Sequence, residues 1–353
     1  MHIRENQPLA PYTSIGIGGP ARWFAEAASE QEIAEAAEWA QGRGVPLFVL
    51  GGGSNLLVSD KGFSGLVLHV AVKGIQRDGG LFRVGAGEDW DHCVEQALGA
   101  DCAGLECLAG IPGTVGGTPV QNVGAYGQEV ASVIDRVRAF DLETRQFTEF
   151  QNAECGFAYR RSRFNSTDRG RFIVTRVDYR LTPGGGHTLR YAELQQAMKA
   201  NRLSRGAANC EPGLKEVADM VRQIRRSKGM LLVDGNPDCR SAGSFFKNPV
   251  VREELFQKIA ACSDAAPPRF LAGTGSADAG RVKIPAAWLI EQAGFTKGYT
   301  MGNAGISSRH TLALINRGGA TAAEILALAA EISAAVESQF GIRFEMEPVL
   351  VGF

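Results

Sequence analysis

Apolar positions recur at helical spacing in several stretches. Ser29-x-x-Glu32 forms a capping box, and Ile33, Ala36, Ala37 and Ala40 fall on one side of the helix it opens, which Gly42 and Gly44 end. Leu214, Val217, Val221 and Ile224 make a second stripe, with Lys215, Glu216, Asp219, Arg222 and Arg226 among the polar positions between. Further helices are expected over about 285–293 and over 320–340, the latter with Ile325, Leu328, Ile332 and Val336 inward. Leu47–Leu50 reads as a buried strand running into Gly51-Gly52-Gly53-Ser54-Asn55, and with Trp23-Phe24-Ala25 it completes a strand–helix–strand unit. Strands are also expected at 65–70, 81–84, 133–142, 171–181 and 342–353. Gly85-Ala86-Gly87 leads into a helix with Glu88 and Asp89 in its first turn, as the helix dipole prefers. This order of elements favours an α/β or α+β fold. The texture changes after residue 200, and the polar, helix-breaking run Asn201–Gly213 marks the main boundary. Residues 263–283, rich in Ala, Gly, Pro, Ser and Asp, read as an exposed loop.

A length of 353 residues suggests two or three domains. Positive and negative side chains nearly cancel, 37 against 38, so there is no basic surplus to track a nucleic acid or an anionic membrane. No apolar span of membrane length occurs, and the opening MHIRENQPLAPYTS lacks an apolar signal core, which leads to the expectation of a cytoplasmic protein. Seven cysteines without a Cys-x-x-Cys pair, and five scattered histidines, argue against a disulfide framework and against a metal site; the cysteines read as buried thiols.

Glycine changes the picture, at 44 of 353 residues where ~7% is usual. Six glycines (110, 113, 116, 117, 124 and 127) fall in the eighteen positions 110–127. No G-x-x-x-x-G-K-[ST] exists, and Gly16-x-Gly18-x-x-Ala21 lacks the strand before and helix after that a dinucleotide fingerprint needs. Gly51–Asn55 and Gly110–Gly127 together instead read as a cradle in which clustered backbone N–H groups take up a dinucleotide's pyrophosphate.

Several of these segments resemble one family. Thr13-Ser-Ile-Gly-Ile-Gly-Gly19, Leu50-Gly-Gly-Gly-Ser-Asn55, Gly110-Ile-Pro-Gly-Thr-Val-Gly-Gly117, Gln121-Asn-Val-Gly-Ala-Tyr-Gly127, Tyr159-Arg160, Gly243-Ser-Phe-Phe-Lys-Asn-Pro249 and Glu347-Pro348 occur in the order found in UDP-N-acetylenolpyruvoylglucosamine reductases. The resemblance implies an α+β flavoprotein with the FAD-binding fold of the vanillyl-alcohol oxidase (PCMH) type in two subdomains, plus a C-terminal α+β substrate-binding domain. Residues 1–60, joined by the strand 341–353, would form the first FAD-binding subdomain, 61–200 the second, and 214–340 the substrate-binding domain.

The implied reaction is reduction of the enolpyruvyl double bond of UDP-GlcNAc-enolpyruvate with NADPH through FAD, which makes UDP-N-acetylmuramate. The FAD is expected to be non-covalent, since neither His69 nor His92 lies in a flavin-linkage context. The resemblance assigns Gly51, Gly52, Gly53, Ser54, Asn55, Gly110, Ile111, Pro112, Gly113, Gly116, Gly117, Asn122, Gly124, Ala125 and Tyr126 to the cofactor. Catalysis falls to Arg160, whose planar fork suits a substrate carboxylate, to Ser244 as proton donor and to Glu347 as a protonated acid. The local rival for that acid is Glu345, two residues earlier on the same strand face. Tyr191, Lys228, Asn248 and Gln292 are assigned to the substrate, while Tyr159 either binds it or packs. Arg161, Arg163, Arg222, Arg225 and Arg226 read as solvated charges. The expected partners are the nucleotide sugar and NADPH, and the chain is expected as a monomer. An FAD oxidase of an alcohol or sugar in the same fold, and a non-catalytic nucleotide-sugar binder, are the alternatives.

Overall fold

The Ser29 hydroxyl accepts the Glu32 N–H at 3.2 Å and opens helix α1 (Glu30–Gly42), which buries Ile33, Ala36 and Ala40. A computed structural model describes residues 1–204, 211–263, 266–271 and 280–353. The chain divides into two compact units. The first comprises Met1–Gln7, Ala21–Gly53 and Ser64–Ser227, and the second Pro8–Pro20, Ser54–Phe63 and Lys228–Phe353.

In the first unit the strand Leu47–Leu50 pairs in parallel with Phe63–Val70, Leu47 opposite Leu66, in a four-stranded sheet with Ile3–Pro8 and Pro20–Ala27. A second, wholly antiparallel sheet runs in the order Gln146–Gln151, Ile134–Asp141, Phe172–Arg180, Leu81–Gly85, Ile75–Asp78. Asp89 caps α2 (Trp90–Gly99) through His92 N–H at 2.9 Å, so of the two acids expected in its first turn one is the cap and Glu88 precedes it. Two more helices, α3 (Ala192–Ser204) and α4 (Leu214–Ser227), complete the unit. Its core joins Phe82, Val84, Trp90, Val137, Tyr179, Val217 and Val221.

The second unit carries α5 (Glu253–Ala261), α6 (Ala286–Gln292) and α7 (Ala322–Phe340); Phe245, Phe246, Ile290, Leu314, Ile325 and Ile332 pack in one cluster, and Phe256 and Ile259 of α5 in another with Val336 and Phe340. Both carboxylate oxygens of Asp60 accept N–H groups at the start of α7, from Ala322 at 2.8 Å and Ala323 at 3.2 Å. Here the motif Gly16–Gly19 is accounted for by packing: a Cβ on Gly19 would lie 2.2 Å from the Asp60 carbonyl oxygen.

The two compact units have other bounds than the three parts expected from what each would bind. Val349–Val351 pairs with Leu56–Val58, in parallel, and both strands belong to the second unit. Some expectations need correction. The expected strand 342–353 is regular only over Val349–Val351, because Pro348 has no N–H with which to continue a ladder. Phe270–Leu271 and Arg281–Lys283 are paired strands, not loop; residues 264–265 and 272–279 of that stretch, and 205–210 of the boundary, lie outside the described residues. Cys262 is exposed while Cys93, Cys102, Cys107, Cys155 and Cys239 are buried thiols; Cys210 lies outside the described residues. No helix among the described residues is long and apolar enough to cross a membrane.

The Arg171 guanidinium forks Asp141 at 2.7 and 3.0 Å and holds its carboxyl down at about 2. A carboxyl depressed in the folded state stabilises above its unfolded value of ~3.9, and that stabilisation is lost as pH falls toward 2. Urea midpoints measured between pH 4 and 2 should therefore fall less steeply for Asp141→Asn than for the wild type.

Candidate functional site

Each unit gathers its own share of the expected site residues. In the first, the two glycine loops meet backbone to backbone: a Cβ on Gly52 would lie 2.5 Å from Gly113 Cα, and one on Gly51 would lie 2.9 Å from Thr114 Oγ1. The second loop is tied down along its length. Gly110 N–H donates to Asp91 Oδ1 at 2.7 Å, Trp90 N–H to the Gly113 carbonyl at 3.0 Å, and Gly116 N–H to the Ala86 carbonyl at 2.8 Å. Ile111 and Pro112 are half-buried between these anchors. Gly117 differs, because a Cβ there would meet nothing within 4 Å and its backbone does not require glycine. Such an open position fits the close approach of a cofactor's phosphate, although the N–H groups of Gly110, Val115, Gly116 and Gly117 are already donated within the chain.

Gly124-Ala125 pairs with Gln128-Glu129 in a short antiparallel ribbon that presents Tyr126, which has a left-handed φ of 49°. The Tyr126 and Tyr191 rings meet edge to face at 5.6 Å. Burial pushes the Tyr126 hydroxyl up to about 12, and the Arg225 guanidinium hydrogen-bonded to it pulls the other way.

Tyr159 and Arg160 form the tip of a tight turn closed by two backbone hydrogen bonds between Ala158 and Arg161, at 2.9 and 3.0 Å. Arg160 has φ of +54°, a region that costs a non-glycine residue of order 1 kcal/mol or more. The surroundings enforce it. Asn165 Nδ2 donates to the Arg160 carbonyl at 3.1 Å, Asn122 Nδ2 to the Ala158 carbonyl at 3.1 Å, and Arg160 Nη1 to the Gly124 carbonyl at 3.1 Å. The guanidinium also lies 5.4 Å from the Tyr159 ring centre. Asn122 is 1% exposed, and its amide also serves Glu129 and the Ala131 N–H, so its side chain supports the Arg160 turn and leaves only backbone for a ligand.

In the second unit, Gly243 (φ +78°) turns the chain into Ser244. Phe245 and Phe246 are buried in the core and anchor the turn from behind. Glu347 N–H donates to the Phe245 carbonyl and Lys247 N–H to the Glu345 carbonyl, both at 2.9 Å, so the Ser244 segment runs antiparallel to the Glu347 segment. Among the described residues the Ser244 hydroxyl makes no hydrogen bond. Glu345 is ion-paired with Lys247 and 72% exposed, whereas Glu347 is half-buried. Asn248 Oδ1 accepts the Ala286 N–H at the start of α6 at 2.9 Å, leaving its NH₂ as the group for a ligand. Gln292 ends α6 on the surface, and Lys228, half-buried, follows α4. The Ser54 carbonyl accepts from Ser14 Oγ at 3.4 Å, and Asn55 Nδ2 donates to the Glu347 carbonyl at 3.2 Å.

Comparison with known proteins decides what these clusters belong to. Residues 236–351 match the profile of the UDP-N-acetylenolpyruvoylglucosamine reductase C-terminal domain, and residues 21–146 that of an FAD binding domain. A UDP-N-acetylenolpyruvoylglucosamine reductase of Streptomyces coelicolor is 45% identical over 99% of this chain and 90% of its own length. That of Thermobifida fusca is 44% identical, over 99% and 98%. The chain belongs to the UDP-N-acetylenolpyruvoylglucosamine reductase family. The crystal structure of the Thermus caldophilus reductase covers 99% of this chain and all of its own, at 27% identity and a TM-score of 0.66. Full-length membership of the reductase family favours the reductase over the oxidase and the binder.

Four charged residues that brace this reductase's loops and turns escaped sequence reasoning. Arg225 is 7% exposed, not solvated; its Nε donates to the Gly110 carbonyl at 2.9 Å, and burial draws its pKa below the usual guanidinium value. Arg222 pairs with Asp91 at 3.0 Å and with Glu95, so Asp91, which binds the Gly110 N–H, is itself held by α4. The signal was available: Arg225 lies four positions after Val221 and eight after Val217, on the apolar stripe itself. Arg163 is likewise a clamp, 2.6 Å from Asp168 and over the Phe150 ring; Arg161 is exposed as expected. Glu106 is fully buried and accepts from Gly104 N–H, Gln128 Nε2 and Thr188 N–H at 2.7–2.9 Å, bracing the segments that lead to Tyr126 and Tyr191.

Removing Arg225 strands the Gly110 carbonyl and the Tyr126 hydroxyl, at ~1–3 kcal/mol for each buried group left unmade. Arg225→Met should lower stability to urea by about 2–4 kcal/mol, while exposed Lys215→Met on the same helix should change it by under ~0.5 kcal/mol. Equal effects would remove Arg225 as a clamp of the loop.

Proposed function

We propose that this chain reduces the enolpyruvyl double bond of UDP-GlcNAc-enolpyruvate with NADPH, giving UDP-N-acetylmuramate for peptidoglycan precursor synthesis. The backbone register that sets Ser244 beside the Glu347 segment is the observation that carries this reading. FAD, bound non-covalently, supplies the transfer of a hydride from NADPH to the alkene carbon distal to the carboxylate. Residues 51–55, 110–113, 116–117, 122 and 124–126 would hold it, with residues 1–60 plus 341–353 and residues 61–200 as the two FAD-binding parts. Residues 214–340 would supply the substrate's remaining contacts.

The chemistry left to the protein is charge and proton. Addition at the distal carbon builds negative charge next to a carboxylate, and a guanidinium stays positive throughout, which suits Arg160. The strained turn holds Arg160 in place before substrate arrives, so none of that ordering is left to the reaction. Ser244 donates its proton to the basic carbon, and its hydroxyl has no competing protein acceptor among the described residues. Glu347 in its protonated form donates to the developing anion. Glu345, paired with Lys247 in water, is the weaker candidate. Tyr159, Tyr191, Lys228, Asn248 and Gln292 would contact the nucleotide sugar, the lysine meeting its diphosphate. We further propose a cytoplasmic monomer acting on small molecules alone, without nucleic acid or membrane.

Anaerobic titration with NADPH and then UDP-GlcNAc-enolpyruvate should bleach the flavin absorbance and restore it. Return only on admitting air would favour an oxidase. Ser244→Ala should keep the bleaching while slowing the return by ~10²–10⁴-fold, the range for general acid catalysis; equal damage to both would make Ser244 structural. Glu347→Gln should slow the return far more than Glu345→Gln, and the reverse order would transfer the role. Lys228→Ala should chiefly weaken substrate binding, measured as a raised KM; an unchanged KM would take it off the diphosphate.

A further inference from the structure

Asn55 ends the first glycine loop, and its family position assigns it to the cofactor. Its side chain also reaches the segment of Glu347. Nδ2 donates to the Glu347 carbonyl at 3.2 Å, and the Asn55 carbonyl accepts the Val349 N–H at 2.9 Å. On the other side, the Glu347 N–H is taken by the Phe245 carbonyl, one residue after Ser244. The chain changes partners at this point. Residues before Pro348 pair with the Ser244 segment, while Val349–Val351 pair with Leu56–Val58. Pro348 cannot donate to either ladder, so the crossing point lacks one backbone tie, and the Asn55 amide supplies a side-chain tie there.

We propose that Asn55 is a positioning residue for Glu347, fixing the peptide from which the acid's side chain springs. This rests on the reading of Glu347 as the acid given above. The bond needs a donor at the Asn55 amide position; an isosteric carboxylate offers only acceptors and faces a carbonyl. A small displacement of a reacting group can cost ~10²-fold in rate, so the effect should fall on the step that uses Glu347.

The experiment compares wild type, Asn55→Asp and Asn55→Ala for the rate of bleaching by NADPH and for the anaerobic rate of return with UDP-GlcNAc-enolpyruvate. With FAD in excess throughout, the expected result is a return slowed at least tenfold more than bleaching in both variants. In a Glu347→Gln background, Asn55→Asp should add little further loss, since the group it positions is gone. Bleaching slowed as much as return would confine Asn55 to the cofactor and overturn the proposal. Full additivity with Glu347→Gln would overturn it too, as would failure of both variants to fold. A wild-type protein that bleaches but does not return with this substrate would instead overturn the functional reading itself.

Discussion

The hydrogen bond from Glu347 N–H to the Phe245 carbonyl fixes how the segments of Ser244 and Glu347 line up, and the proposed chemistry rests on that register. A slip of one residue would turn every side chain of the 345–347 segment to the opposite face. Glu345 and Glu347 would then leave the face they share with Lys247 and Phe245, and Met346 would take it. The register is protected by anchors that are not polar at all. Phe246 is buried and stacks on Phe344 at 4.8 Å, and Phe245 packs beside it at 5.4 Å. The two phenylalanines of Gly-Ser-Phe-Phe-Lys-Asn-Pro thus hold the serine in place from the core, while the lysine holds Glu345 away on the surface.

A different device holds the first unit's loops. Gly110 is gripped at both ends of its residue, its N–H by Asp91 and its carbonyl by Arg225, and these charges come from α2 and α4. Loops built to approach a ligand cannot bury large side chains of their own, so their rigidity has to come from neighbouring elements. Glu106, Asn122 and Arg225 are buried polar side chains spent on backbone groups of the segments that carry Tyr126, Arg160 and Tyr191. Each is costly to bury and worth that cost only when fully hydrogen-bonded, as these are.

Much of the fold was legible because its signals are local. Ser29 with Glu32, and the stripe from Leu214 to Ile224, specify their helices without reference to the rest of the chain. Helices α3 and α5 were missed because short stripes such as Leu194 and Met198 sit among polar neighbours and gain their helicity from packing. That residues 8–20 and 54–63 group with the C-terminal stretch depends on pairings such as 56–58 with 349–351, which no local pattern reports. Charge was misread most often. A lone arginine in a helix looks solvated until the carbonyl it serves, 115 positions away for Arg225, is known.

The glycine excess shows the same division between local and distant causes. Composition alone says that the backbone is approached closely somewhere. At Gly19 and Gly52 the approaching group is another stretch of this chain, so those glycines are explained by the protein and say nothing of a ligand. At Gly117 neither conformation nor packing demands glycine, yet the residue stands at the end of a loop clamped by its neighbours. Only a position of that kind carries information about something outside the chain. The cofactor reading therefore draws its physical support from one open glycine in a fixed loop, not from the number of glycines in the sequence.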